Sequence, residues 1–252
     1  MSNTRAPVGK EVVKELLKAI HRGADPRELK ERFRGVLEQL SPLEIPLIEQ
    51  ELVREGIPLG DILKLCDLHV ELFKESLASR ELSGVPKGHP IELLVRENEW
   101  ILKRAEALAL YAQALAAARS GEEARQHLEA VRRILGELRK VRLHYRKLQM
   151  LLFPYLERRG IVAVPRVLWG REDQAMVKLR RLASEVEKLG PESQAEALVG
   201  LAPGLLELSR ELSELVFREN KILYPAAYAL LTEGEWAAIA DIADDIGYIV
   251  EK

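Results

Sequence analysis

Apolar residues recur along this chain at the three- and four-residue spacing that gathers them on one face of a helix. In EVVKELLKAIHRG, Val12, Val13, Leu16, Leu17 and Ile20 form such a stripe, and Gly23 ends it. DPRELKERFRGVLEQL opens a second helix, with Asp25 placed as N-cap and Pro26 at the first helical position, where its missing N–H is harmless. SPLE at 41–44 reads as a capping box: Ser41 accepts from the third helical N–H while Glu44 reaches back. That third helix is expected to end near Gly56, and a fourth to run from about Gly60 to Leu82. SGVPKGHP at 83–90 has two glycines, two prolines and no apolar period, so it reads as a linker. Beyond it the pattern predicts helices over 90–118, 122–159, 167–189, 193–231 and 233–249, with Pro203 kinking or splitting the fourth. Thr232 and Glu235 form a further capping box at the start of the last. The expected architecture is all-α: a small helical domain over 1–82, a linker over 83–90, and over 91–252 an up-down four-helix bundle with a short C-terminal helix.

Two places break the helical rule. LLFPYLERRG (151–160) and ILYPAAYALL (222–231) each set proline after an aromatic inside a predicted helix. Proline in a helix interior costs roughly 3 kcal/mol. Aligning the prolines sets HYRKLQMLLFP (144–154) against LVFRENKILYP (215–225), with matched apolar positions and different polar ones. This reads as a duplicated helical hairpin. The two kinks are expected to close one end of the bundle, with Phe153 and Tyr224 as a lid. Attention falls on the residues upstream of each proline: His144, Tyr145 and Gln149 in one copy, Glu219 and Asn220 in the other.

Composition narrows the class. Hydrophobic residues make up 47% and charged ones 31%, with aromatics at 5%, as expected of packed amphipathic helices. Lys plus Arg (38) nearly cancels Asp plus Glu (40), so no bulk field invites nucleic acid or an anionic membrane, and neither is expected as a partner. One cysteine, Cys66, precludes an internal disulfide, and MSNTRAPVGKEVV lacks the apolar core of a signal peptide, which points to the cytoplasm. Dense Glu, Lys and Arg with few Asn or Gln match the composition of thermophile chains. There is no Gly-rich phosphate loop, nucleophile triad order or metalloprotease helix, and no catalytic residue is assigned.

GHPIELLVRENEWI, HYRKLQMLLFPYLERRGI, VLWGREDQAMVKLRRL and FRENKILYPAAYALLTEGEWAAIADIADDIGY together resemble successive helices of a hemerythrin-like HHE cation-binding domain. LSPLEIPLIEQELVREGIPLGDILKLCDLHVELFKESL resembles the small helical domain of unknown function (family 438) that precedes one kind of HHE domain. The resemblance covers about 40–80 and 88–248. It implies a bundle holding non-haem iron, usually as a di-iron pair, that binds or senses oxygen, nitric oxide or peroxide. Carried onto this chain, the metal ligands are His89, Glu97, His144, Gln149, Glu172 and Glu219.

The set departs from the family pattern. Gln149 stands where a glutamate is expected, Glu172 where a histidine is expected, and Glu219 lacks an upstream histidine to match His144. The C-terminal unit has only His89, His127 and His144. Three readings follow. The first is a metal-binding protein with an eroded ligand set, used for sensing or small-molecule binding. The second is a metal-free scaffold that meets a protein partner or a second copy. The third, of lower weight, is a di-metal oxidase or peroxidase. Cys66 and His69, three apart in LCDLHVELF, form a separate pair, suited to sharing a metal or to ordinary core packing.

Overall fold

The computed structural model describes residues 11–12, 14–16, 18–19, 22–37, 44–58, 82, 84–189 and 195–252. Among them no strand occurs and no helix is long and apolar enough to cross a membrane. The expected fourth helix, with Cys66 and His69, and the Ser41 half of the first capping box lie outside the described residues. After helical residues among 11–19 come α1 (Pro26–Leu37), α2 (Glu44–Arg54), α3 (Pro90–Ala117), α4 (Gly121–Leu138) and α5 (Val141–Lys147). A π-helical turn, π1 (Leu148–Leu152), leads into α6 (Phe153–Arg158), followed by α7 (Ala163–Lys188), α8 (Ala195–Val199) and α9 (Ala202–Arg218). A second π-helical turn, π2 (Glu219–Leu223), leads into α10 (Tyr224–Leu230) and then α11 (Glu233–Ile246).

The chain falls into two compact units. The first comprises Met1–Val85, Leu152–Leu168 and Arg218–Glu235. Its core includes Leu16, Leu29, Ile48 and Leu52 from the N-terminal helices. Lys14 bridges from its helix to Glu51 and Glu55 of the third helical stretch. The Gln50 side chain accepts from the Val162 N–H at 3.0 Å, satisfying one of the orphan donors ahead of α7. Thr232 and Glu235 form the predicted capping box: Glu235 N–H meets Thr232 Oγ1 at 3.3 Å, and Thr232 N–H meets Glu235 Oε2 at 2.8 Å.

The second unit comprises Pro86–Leu151, Trp169–Phe217 and Trp236–Lys252 and forms an up-down helical bundle. On α3, Ile91, Leu94, Asn98, Ile101, Ala105, Leu108, Ala112 and Leu115 are all buried, alternating steps of three and four. Ala124, Leu128, Val131, Leu135 and Leu138 repeat this on α4, which packs along α3. Small residues bring helices close. A Cβ on Gly204 would lie 3.0 Å from Leu182, and Ser209 Oγ donates to the Ala105 carbonyl at 2.7 Å. Arg132 donates to the Val186 and Leu189 carbonyls, closing the C-terminus of α7 where a cation also meets the helix dipole.

The structure divides the predicted helix over 122–159 at Arg139–Lys140 and again at π1. The fourth bundle helix is split at Gly200–Leu201, which leaves Pro203 in the first turn of α9 rather than inside a helix. The last helix stops at Ile246, not 249, because Gly247 turns left-handed at φ +89, a C-terminal cap that residues with a side chain rarely adopt.

The aromatic-Pro puzzle resolves in the same way. Each proline follows a π-helical turn and sits at the start of a new α-helix. In π2 the Tyr224 N–H bonds the Glu219 carbonyl, five residues back instead of four. The widened turn takes up the register in which the proline ring would clash and its N–H would be missed. The expected interior kinks are therefore helix junctions. Phe153 and Tyr224 belong to the same unit and are fully buried. Pro154→Ala or Pro225→Ala is expected to change stability in urea by no more than about 1 kcal/mol, since neither proline strains an interior turn. A stabilisation of about 3 kcal/mol, the relief of an interior proline, would contradict this placement.

Candidate metal centre

Glu97 lies one position before Asn98 of the buried α3 stripe and is fully buried. Its carboxylate collects three donors. His144 Nδ1 lies 2.7 Å from Oε2, Lys147 Nζ donates to Oε1 at 2.8 Å, and the Ile249 N–H donates to Oε1 at 3.0 Å. His144 and Lys147 stand three apart on α5 and so share a face. Lys147 also donates to the Gly247 carbonyl at 2.6 Å and lies 4.7 Å from the centre of the Tyr248 ring. The left-handed turn at Gly247 thus brings 247–249 across the Glu97 carboxylate.

Electrostatics bind this group together. Burial pushes the Glu97 carboxyl up, but the His144 hydrogen bond and the Lys147 charge outweigh it and hold it below the ordinary carboxylate value. Burial pulls Lys147 below the ordinary lysine value, partly offset by Glu97. A carboxylate can only accept, so His144 Nδ1 carries the proton in this contact. Any metal bond from this ring is left to Nε2.

The remaining candidate ligands have contacts of their own. Gln149 Nε2 donates to Glu172 Oε2 at 2.8 Å, bringing those two residues together in the second unit, with Glu172 fully buried. Glu219 belongs to the first unit, is fully buried, and takes the Tyr224 hydroxyl at 3.3 Å. His89 is the N-cap of α3: its Nδ1 accepts from the Ile91 N–H at 3.1 Å, and its ring meets Trp236 edge-on at 4.7 Å. Desolvation lowers its pKa, favouring the neutral ring that capping requires.

The donor set does not fit a di-iron pair. Among the described residues no three of His, Cys, Asp and Glu are grouped so that they could hold a metal ion. At Glu97 an ammonium already sits against the carboxylate. A divalent ion about 4 Å from that ammonium would be repelled by about 8 kcal/mol at an effective dielectric near 20. Reading the sequence misses Lys147, Gly247 and Ile249. Lys147, next to Arg146, looks like part of a solvated charged run; the stripe His144, Lys147, Leu151 was the available signal.

Comparison with protein families places these residues in context. Residues 89–227 match the Hemerythrin HHE cation binding domain, and residues 13–79 match a family of unknown function, DUF438. The two stretches are separated by 80–88, most of the glycine- and proline-rich segment. No curated protein matches the chain.

Lys147→Met, which strips Glu97 of its buried cation, is expected to destabilise by about 3–5 kcal/mol. Glu97→Gln together with Lys147→Met should recover much of that loss in urea denaturation, the mark of a coupled pair. Because Glu97 is held below its ordinary value of 4.5, its contribution is complete above that pH and lost as pH falls through the folded value. Wild-type Tm should therefore fall more steeply with acid than that of Glu97→Gln. His89→Ala should cost about 1 kcal/mol, and His89→Asn, which keeps a capping acceptor, much less.

Proposed function

The chain belongs to the hemerythrin HHE cation-binding family, a family of metal-binding domains, and we propose that this member works as a metal-independent interaction or signalling module. The observation that carries the reading is the Lys147 ammonium, 3% exposed and 2.8 Å from the Glu97 carboxylate. A positive charge is what a buried carboxylate needs to remain ionised. Here the chain supplies it from its own α5, and the C-terminal residues 247–249 complete the shell. The Glu97 carboxylate is then balanced by the chain's own cation and needs no outside ion. In this reading the helical domain over 1–82, joined through 83–90 to the bundle over 91–252, contributes surface for a partner.

A second reading has its own support. Gln149 and Glu172 meet at 2.8 Å, and the His144–Glu97 contact resembles the carboxylate that orients a metal-bound histidine from behind. In that reading His144, through Nε2, with Gln149 and Glu172 would hold a single non-haem iron, and oxygen, nitric oxide or peroxide would be the small ligand sensed. Glu97 would then be a positioning residue rather than a ligand. The oxidase or peroxidase reading gains nothing further from the geometry.

Metal content by plasma mass spectrometry decides between the two, on protein expressed with iron supplied. The first reading expects less than about a tenth of an equivalent of any transition metal, before and after reconstitution. About one iron per chain, with a charge-transfer band in the near ultraviolet, would overturn it and favour the second. Gln149→Glu with Glu172→His sharpens the comparison: with Lys147 in place, the metal-independent reading expects no gain in iron.

A further inference from the structure

We propose that the groove between α5 with π1 on one side and α7 on the other docks an acidic amphipathic helix from a partner protein. The groove lies wholly within the second unit and encloses about 1110 Å³, room for roughly two turns of a helix about 10 Å across. Met150, Trp169 and Val177 line it at 60%, 44% and 56% exposure. They are three of the six large hydrophobic side chains left exposed among the described residues. Such concentration of exposed apolar surface marks an interaction site more often than solvent-facing helix. Two methionines, Met150 and Met176, give the floor an adaptable apolar lining suited to helix anchors.

Charge selects the partner. The chain as a whole is close to neutral, yet the groove is rimmed by cations. Lys140, Arg142, Arg146 and Arg180 are exposed there and make no ion pair with any described residue. Arg139 differs, since it is tied to Glu187 at 2.5 Å. Asp173 is the one acidic residue in the lining. Elsewhere on the same unit several cations are engaged: Lys178 with Glu207 and Glu211, Arg104 with Glu137, Arg210 with Glu214. Apolar anchors on the floor and cations along both walls complement a helix that carries a hydrophobic stripe flanked by acidic residues. Nucleic acid would satisfy the cations but leave the methionine and valine floor without a match.

The proposal deepens the interaction reading by naming the partner's chemistry, while its residues take no part in the Glu97–Lys147 pair. The probe is a synthetic helical peptide with leucine at i, i+3, i+4 and i+7 and glutamate on both flanks, titrated into the full chain by fluorescence anisotropy. Saturable binding is expected, weakened at least about tenfold by Arg142→Glu with Arg146→Glu and again by Trp169→Ala. The same peptide with lysine for glutamate should not bind. These side chains are exposed, so the variants should melt within a few degrees of the wild type, which separates lost binding from lost folding.

Absence of binding, or binding untouched by the substitutions, overturns the proposal. So does equal binding of a scrambled peptide without an apolar face, which would make the groove a general polyanion surface. A wild-type dimer that dissociates on charge reversal also overturns it, making a second copy the occupant. Metal content measured on the same samples keeps the two proposals apart. Iron-loaded protein that binds the peptide sinks the metal-independent reading alone, and metal-free protein that ignores it sinks the groove alone.

Discussion

A carboxylate and an ammonium taken out of water must answer each other, and the Glu97–Lys147 pair is the contact on which the interior of the bundle unit depends. Each charge buried alone carries a penalty of several kcal/mol, larger than most single contacts in a domain of marginal stability. The surroundings supply further polar partners. The Ile249 N–H and His144 serve the carboxylate, while the Gly247 carbonyl and the Tyr248 ring face the ammonium. Three separate stretches of chain are therefore committed to one point: α3, α5 and the residues after α11.

That commitment accounts for the interruptions in the second predicted helix. Had the α4 stripe continued unbroken past Leu138, residues 142, 145, 149 and 152 would have faced inward. With the break at Arg139–Lys140, Val141 and Leu148 are buried in place of 142 and 149, beside Tyr145 and Leu152, and Arg142 is exposed. His144 and Lys147 turn towards Glu97 with them, and Arg142 and Arg146 turn towards the α7 groove. One change of register thus furnishes a buried ion pair on one face and an unpaired cationic rim on the other. The π-helical turns do similar work: each restores register before a proline, at both aromatic-Pro phrases.

In this setting the family's cation-binding frame can persist while its ligands change. Gln149 and Glu172, two of the departures from the family pattern, are hydrogen-bonded to each other at 2.8 Å, so one oxygen of the altered carboxylate is met by the other altered residue. A half-buried amide donating to a buried carboxylate is a contact that offsets part of the carboxylate's desolvation. It requires neither a histidine at 172 nor a glutamate at 149.

Local physics made much legible from the chain alone. Apolar period, Asp25–Pro26 and the Thr232–Glu235 capping box determined the helices and their starts, and the repeated aromatic-Pro phrase marked two helix interruptions, because capping and amphipathicity act over a few residues. The family pattern singled out Glu97, His144, Gln149 and Glu172. What became of them was decided by tertiary structure. Lys147 reads as one more solvated cation beside Arg146, and nothing local announces that Gly247 and Ile249 return to meet it. His89, which the family pattern marks as a ligand, also caps α3 through Nδ1, since an imidazole accepts from an N–H as readily as a hydroxyl does. A side chain's role as ligand, cap or counter-ion depends on which distant groups share its burial, and sequence spacing does not encode that distance.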